Sequence, residues 1–597
     1  MLNLRSITLE HGLYILAFAL AAGVRLLQLG AAPLSEFEAN WALQALQVSK
    51  GEITGIGPNP GYVSLTGLLF FLFGSSNFLA RFWPALAGSL LILLPFNFRQ
   101  LLDRKVAIVL AFGLALDPGL VALSRLAGGP MLAMSFGLIA LGFFFKRMPV
   151  LAGISLGLAF LGGTAIIHGI AGLGLAWLLS RLWLRWRSAE FPEENQLFPQ
   201  VTEMRKPVLI SFSITLLVLG SLFFKYPEGL SAFAGTIPEA LNSWFSDSGI
   251  PASRVFLAPI IYQPLAIFFV LIGLVRVWRE RSIILNWLII WLFSALIIAI
   301  VFPGRHVSDI GWALFPLWTL AAFEIARHLK FVNFEKVPAV VQASLLVLLL
   351  GLGWFNLSAL SLQTGDMQNI QLRLAVIGGT IGLSVVTTLM VALGWSTTVA
   401  IRGLAWGVGF SLTLYMMASM WGVSQLRKNG EQELWYPPPV THQADLLLET
   451  LRDISGWHKG HRQELDVFVI APGDSLRWLL RDWRGSIFLD GLPPTELPSA
   501  IITSLEQPDL QLGVSYSGQD FPWLVSPGWD YGLPQNWALW LVFRNSPQIV
   551  ERIILWVRTD LIPGGQLEFF GDDNLLFDLE PSFDTPEEIL PEMEQVE

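Results

Sequence analysis

The 597-residue sequence contains no cysteine, which excludes disulfides, a thiol nucleophile and thiolate-bound metal. Charge is scarce as well. Asp, Glu, Lys and Arg make up 14% of the chain, and the basic residues sit in short links rather than in a patch, so the electrostatic footprint of nucleic-acid binding is missing. No glycine cluster of the phosphate-loop kind surrounds Gly473, and no repeat of fixed period stands out. What fills the chain instead is apolar: 53% hydrophobic residues, 24 Trp and a mean hydropathy of +0.58. That composition is not that of a soluble protein; it reads as a polytopic membrane protein.

Apolar runs near the ~20 residues a spanning helix needs fall at 10–29, 79–98, 105–124, 130–145, 149–164, 165–184, 207–224, 257–277, 283–302, 309–327, 338–360, 370–394 and 399–423. The expectation is about thirteen spans. The first run lacks a small-residue cleavage pattern and reads as a retained helix. A shorter run, 62–73, follows the Gly57 to Gly61 segment, and the positive-inside rule decides its status. If it does not cross, the links carrying Arg99 to Lys105, Lys146, Arg181 to Arg187, Arg276 to Arg281, Arg327 to Lys336 and Arg402 share one side with Arg5. That side is then cytoplasmic, with the N-terminus, and 62–73 is a juxtamembrane or re-entrant helix on the outer face. The outer side also receives Arg125 to Pro130, 225–256, Pro303 to His306 and everything after about 425.

From Gln425 onward the chain turns polar and Pro-rich, dividing it into a transmembrane domain (1–424), an extracytoplasmic soluble α/β domain (425–577) and an acidic, disordered tail (578–597). In the middle part, 465–471, 486–490 and 499–503 read as short buried strands with a helix over 474–483, a βαβ-like order. Segments 538–543 and 552–558 fit either strand or amphipathic helix.

Two carboxylates, Glu36 and Glu38, stand just after the first span. At the outer mouth of a bundle a carboxylate can act as general base on an incoming hydroxyl, or can hold a divalent cation against a lipid-linked phosphate. The same residues also suit the N-terminal cap of a helix beginning about here, on which i and i+2 point apart. Arg125 and Arg305–His306 lie at outer helix ends, where a guanidinium fork suits a polyprenyl phosphate or simply snorkels to headgroups. Lys225, Glu239, Asp247 and Arg254, with Trp244 and Tyr226, belong to an outer loop that can line an acceptor groove or merely sit at the interface. His168 is an intramembrane histidine that can bond between helices, and is kept out of the site. His458 and His461 have metal-compatible spacing but lack further ligands.

Taken in order, Phe37-Glu38-Ala39, the segment 60–66, Phe73-Gly74, Asn77 to Pro84 with Arg81, Asp117-Pro118, Leu123 to Arg125 and Pro303 to His306 resemble the GT-C superfamily of membrane glycosyltransferases. The resemblance is to its family 39-like members, related to dolichyl-phosphate-mannose protein mannosyltransferases. Residues 474–482 resemble a subgroup related to archaeal flippase-activity-associated proteins. The resemblance implies a mainly α, polytopic GT-C-like bundle and transfer of a sugar, by inverting displacement, from a polyprenyl-phosphate carrier to a lipid, glycan or protein acceptor on the outer face. It carries over to Glu38, with Glu36 as stand-in, as the catalytic carboxylate, and to Arg125, Arg305 and His306 as holders of the lipid phosphate. No cofactor follows with certainty, and a divalent metal would rest on the Glu36/Glu38 pair. Two departures stand out: Phe37 occupies the place of the family's aspartate, and Gly128-Gly129-Pro130 replaces an arginine and an acid. These favour the alternative, a degenerate, non-catalytic protein that binds lipid-linked sugars. Ion-coupled transport would demand paired mid-membrane charges and inverted repeats, and neither is seen.

Overall fold

The computed structural model describes residues 8–52, 55–186, 201–280, 282–329, 336–362, 367–426, 432–491, 497–505, 514–529 and 532–566. The expected disordered tail, 578–597, lies outside them. In chain order the first elements are α1 (Leu9–Leu26), α2 (Glu36–Lys50), α3 (Pro60–Phe73), α4 (Asn77–Leu91), α5 (Leu94–Leu102), α6 (Arg104–Leu116), α7 (Pro118–Ser124), α8 (Met131–Phe145), α9 (Pro149–Leu161) and α10 (Ala165–Trp186). There follow α11 (Val201–Gly220), α12 (Glu228–Asn242), α13 (Ala252–Tyr262), α14 (Pro264–Glu280), α15 (Ile283–Val301), α16 (Gly311–His328), α17 (Lys336–Ser361), α18 (Met367–Gly394) and α19 (Thr397–Val423). The last part holds β1 (Val440–Thr441), α20 (Ala444–Lys459), β2 (Val467–Val469), α21 (Asp474–Leu479), β3 (Ser486–Phe488), β4 (Ala500–Ser504), β5 (Tyr516–Pro527), α22 (Trp537–Phe543) and β6 (Gln548–Arg558).

The chain forms two compact units, one of residues 1–442 and 524–550, the other of 443–523 and 551–597. This division differs from the compositional boundary at 424/425: the helical unit keeps the Pro-rich segment and takes back α22. The expected GT-C-like helical bundle with a C-terminal α/β part is the architecture present. Not every one of the thirteen expected runs forms a single long apolar helix. Among the described residues eight helices are long and apolar enough to cross a membrane, or ten if each of two bent pairs is one span. Two further expected spans, α8 and α9, have 15 and 13 residues, short of the ~20 a straight crossing needs. In α11, Glu203, Arg205 and Lys206 precede Pro207 and shorten the apolar stretch.

The bent pairs have a sequence cause. Pro118 and Pro264 each open a helix directly after another, and proline lacks the N–H and disfavours a helical residue before it. The breaks, 56° at α6/α7 and 86° at α13/α14, leave polar groups inside the bundle that must be satisfied internally. They meet at Asp117, fully buried, which caps Leu120 N (2.8 Å), accepts from Trp318 Nε1 (2.8 Å) and lies 3.5 Å from Gln263 Nε2. Trp318 belongs to α16, the central helix, which is buried along most of its length. Neighbours approach it through glycine. A Cβ on Gly113 would lie 2.4 Å from the Trp318 ring, and one on Gly169 2.5 Å from that of Trp312, so small residues set the packing distance. By contrast, in α18 only Thr380 is buried, as suits an apolar helix facing lipid.

In the second unit β2 pairs in parallel with β3 and β4, and β4 pairs antiparallel with β6. The three expected strands are present, and 552–558 resolves as strand. Parallel strands need both faces covered, and β2 is buried at all three positions. Two indoles of this unit are satisfied: Trp483 Nε1 donates to Leu465 O at 2.7 Å and Trp556 Nε1 to Thr503 Oγ1 at 3.1 Å.

Candidate functional site: an outer cavity of the helical unit

Ser35 caps α2, accepting from Glu38 N at 3.3 Å, so Glu38 is the N3 acid of a capping box. Its side chain is 2% exposed and every lone pair is in use. Oε1 accepts from Arg81 Nε (2.7 Å) and Ala127 N (2.9 Å); Oε2 accepts from Arg81 Nη2 (2.6 Å), Ser35 N (3.1 Å) and Ser35 Oγ (3.3 Å). This is a bidentate, charge-assisted pair between a helix start and α4, 43 residues apart. Arg81 also reaches the carbonyls of Leu29, Ala32 and Pro33. The pair therefore fastens the whole 29–38 connection.

Arg125, 1% exposed, neither snorkels nor faces a cavity. Its guanidinium donates to the carbonyls of Val24, Arg25, Leu27 and Gln28, the groups that the end of α1 leaves unpaired. Arg305 likewise donates to Phe302 O and Ile250 O, both at 2.9 Å. Expected to hold the lipid phosphate, both guanidiniums instead donate to backbone carbonyls, and Nε of Arg125 has no partner among the described residues. Glu36 is half-buried at the first turn of α2 and is not among the residues that line the outer cavity.

That cavity, of ≈ 300 Å³, lies wholly within the helical unit. One wall is Phe37 and Trp41 of α2, one turn apart and edge-on at 6.5 Å. The next is Leu126 to Pro130, where Gly128 is obligatory: its φ is +68°, and a Cβ would stand 2.2 Å from Trp41 Cδ1. Asn59 holds this loop through Gly128 O at 3.1 Å. Opposite are His168, Glu239, Arg254, the Phe302 to Asp309 turn and Glu433 to Pro438.

Several polar groups here have spare capacity. His168 packs edge-on against Phe302 at 4.4 Å, and its buried Nδ1 has no partner among the described residues. Trp435, 2% exposed, has an unpartnered Nε1. Glu239, exposed near the end of α12, shows no ion pair or side-chain hydrogen bond among the described residues, and partial loss of surrounding water raises its pKa. Others are committed. Asp309 accepts from His306 N at 2.8 Å, Arg254 Nη2 donates to Trp529 O at 2.7 Å, and Glu433 is bound by Arg544 Nε (3.1 Å) and the Tyr262 hydroxyl. Among the described residues no three His, Asp or Glu cluster as a metal site.

Of the expected site residues only His306 lines the cavity. His168, set aside from the sequence, lines it too, and so do Glu239 and Arg254, read as a groove or as interface. The signal was present in one respect: residues i and i+2 of a helix diverge, so Glu36, Phe37 and Glu38 cannot share a face. The side chain that faces the cavity is Phe37.

No family model matches the chain, and no curated protein matches it. Among solved structures, ArnT from Cupriavidus metallidurans bound to undecaprenyl phosphate superposes with a TM-score of 0.52 at 13% identity, over 93% of this chain and 99% of that one. The chain has the ArnT-like, GT-C fold. The apo state of that ArnT aligns at TM-score 0.41 and 15% identity, over 79% of this chain and 85% of that one. The match to the bound form extends over both compact units, and the protein is a multi-pass membrane protein of this architecture.

Proposed function

We propose that the protein is a membrane glycosyltransferase that moves a sugar from a polyprenyl-phosphate carrier to a lipid, glycan or protein acceptor, with the outer cavity as its reaction chamber. Support comes first from the fold, shared along 99% of an ArnT chain solved with undecaprenyl phosphate. The cavity adds aromatic walls, one unpaired carboxylate and imidazole and guanidinium groups in one place. The N-terminus is cytoplasmic and the cavity opens outward, in keeping with the basic links. A mannose-type donor sugar rests on the sequence resemblance alone.

In the reaction an acceptor hydroxyl oxygen bonds to the anomeric carbon while the bond from that carbon to the phosphate oxygen breaks, with inversion. The hydroxyl proton passes to a carboxylate, and the polyprenyl phosphate leaves with the electron pair. Glu239 is the base in this reading, because Glu38 has no lone pair free. His306 and His168 receive the leaving phosphate. Glu38, Arg81 and Arg125 hold the chamber's walls, and Arg305 anchors the turn bearing His306.

One observation favours the alternative. Phe37, at the position where the resemblance expects an aspartate, faces the cavity with Trp41, which suits a protein that binds the carrier without turnover. Protein reconstituted in liposomes with a polyprenyl-phosphate-linked hexose and envelope extract as acceptor separates the two. Release of polyprenyl phosphate, lowered about 10²-fold or more in Glu239→Gln with carrier binding retained, supports transfer; binding with no release supports the alternative.

A further inference from the structure

At the opposite end of the bundle, where α1 begins, a second cavity of ≈ 210 Å³ opens between the start of α6, the ends of α14 and α16 and the start of α15. Its floor is apolar, including Val270, Leu285, Ile289 and Phe323, and its mouth carries Lys105, Arg276 and Arg327 beside Asp103 and Glu324. The same rim continues through Arg99 and Arg104, which lie 3.6 and 4.0 Å from Glu10. Cations thus outnumber acids five to three among these described residues. Glu324 is engaged from both sides, by Arg276 Nη1 at 2.9 Å and His328 Nε2 at 3.1 Å. The Arg276 contact is an ion pair without hydrogen-bond alignment: its buried Nη1 has no aligned acceptor. Lys105 is exposed at the mouth with no partner among the described residues.

An apolar slot under a cationic rim, between membrane helices at the end where positive charge gathers, matches an amphiphile with an anionic head rather than a soluble anion. We infer that this cavity binds an anionic phospholipid, its phosphate against Lys105, Arg276 and Arg327 and the first part of an acyl chain against Phe323 and Leu285. A free phosphate would leave the apolar floor uncovered. A zwitterionic lipid would bring its own cation to a rim already rich in them.

Full-length protein, stripped of lipid in detergent, tests this through thermal unfolding and native mass spectrometry with three additions: phosphatidylglycerol, phosphatidylcholine of the same chains, and inorganic phosphate. Phosphatidylglycerol is expected to raise the unfolding temperature and to be retained as a one-to-one adduct. In the Lys105→Gln variant, which keeps the Arg276–Glu324 pair and so the fold, its apparent affinity should fall by about fivefold. Wild-type unfolding temperature in lipid-free detergent for that variant keeps the reading independent of misfolding. An equal effect of phosphatidylcholine, an equal effect of inorganic phosphate alone, or unchanged affinity in the variant would each overturn the assignment.

Discussion

Replacing Glu38 by glutamine preserves shape and removes one charge, so its effect separates a structural carboxylate from a chemical one. Whichever way the amide is turned, its NH2 faces at least two donors. On the Oε1 side these are Arg81 Nε and Ala127 N; on the Oε2 side they are Arg81 Nη2 and both Ser35 groups. The Arg81 guanidinium, 1% exposed, then remains buried without its counter-charge. Breaking a buried pair from one side costs about 3–5 kcal/mol. Arg81→Gln should cost a similar amount, whereas the double variant places two amides opposite each other and strands no charge. A double-mutant cycle is therefore expected to show a coupling of about 2–3 kcal/mol. The assay is unfolding of purified protein in mixed micelles, following helix content against the mole fraction of sodium dodecyl sulfate. A Glu38→Gln protein within about 1 kcal/mol of wild type, or a double variant equal to the sum of the singles, would refute the structural role. Lost sugar transfer at unchanged stability would return Glu38 to the chemistry.

Three further outcomes are expected. Gly128→Ala places a Cβ against the Trp41 ring at a left-handed backbone position; it should cost about 2 kcal/mol or more and weaken carrier binding, read as a raised KM. Arg544→Leu leaves Glu433, a buried residue, without its cation and should destabilise the helical unit by about 3–5 kcal/mol, with Glu433→Gln in the same chain recovering part of the loss in the same micelle titration. For Glu239, partial desolvation raises the carboxyl pKa above its ordinary 4.5. A protonated carboxyl cannot accept the acceptor's proton, so transfer should fall as pH drops through that raised value, and Glu239→Gln should abolish the acid limb of the rate profile.

The membrane class, the helix positions and the βαβ order were legible in the sequence, because each rests on local periodicity: apolar runs of spanning length, and short β-branched strands between turn residues. A helix start at Glu36 and Glu38 was legible as well; Ser35 is the residue that caps it. Local pattern does not set how far a helix reaches: α8 and α9, expected as spans, are helices of 15 and 13 residues. The sequence also could not assign 538–543, which is helix α22 of the helical unit rather than part of the α/β unit.

What the chain determined by itself is the local pattern: the apolar runs, and the prolines at 118 and 264 at which two of them break. The tertiary structure alone decided what each charge is for. Glu38 meets Arg81 across 43 residues, Arg125 meets the end of α1 across about a hundred, and Glu433 meets Arg544 across 111. An outer helix end offers a charged side chain either a ligand or unpaired carbonyls, and both are equally polar in sequence. Folding chose the carbonyls for Arg125 and Arg305, because backbone groups buried in a membrane bundle must be satisfied within it, and left His306, His168 and Glu239 to face the cavity.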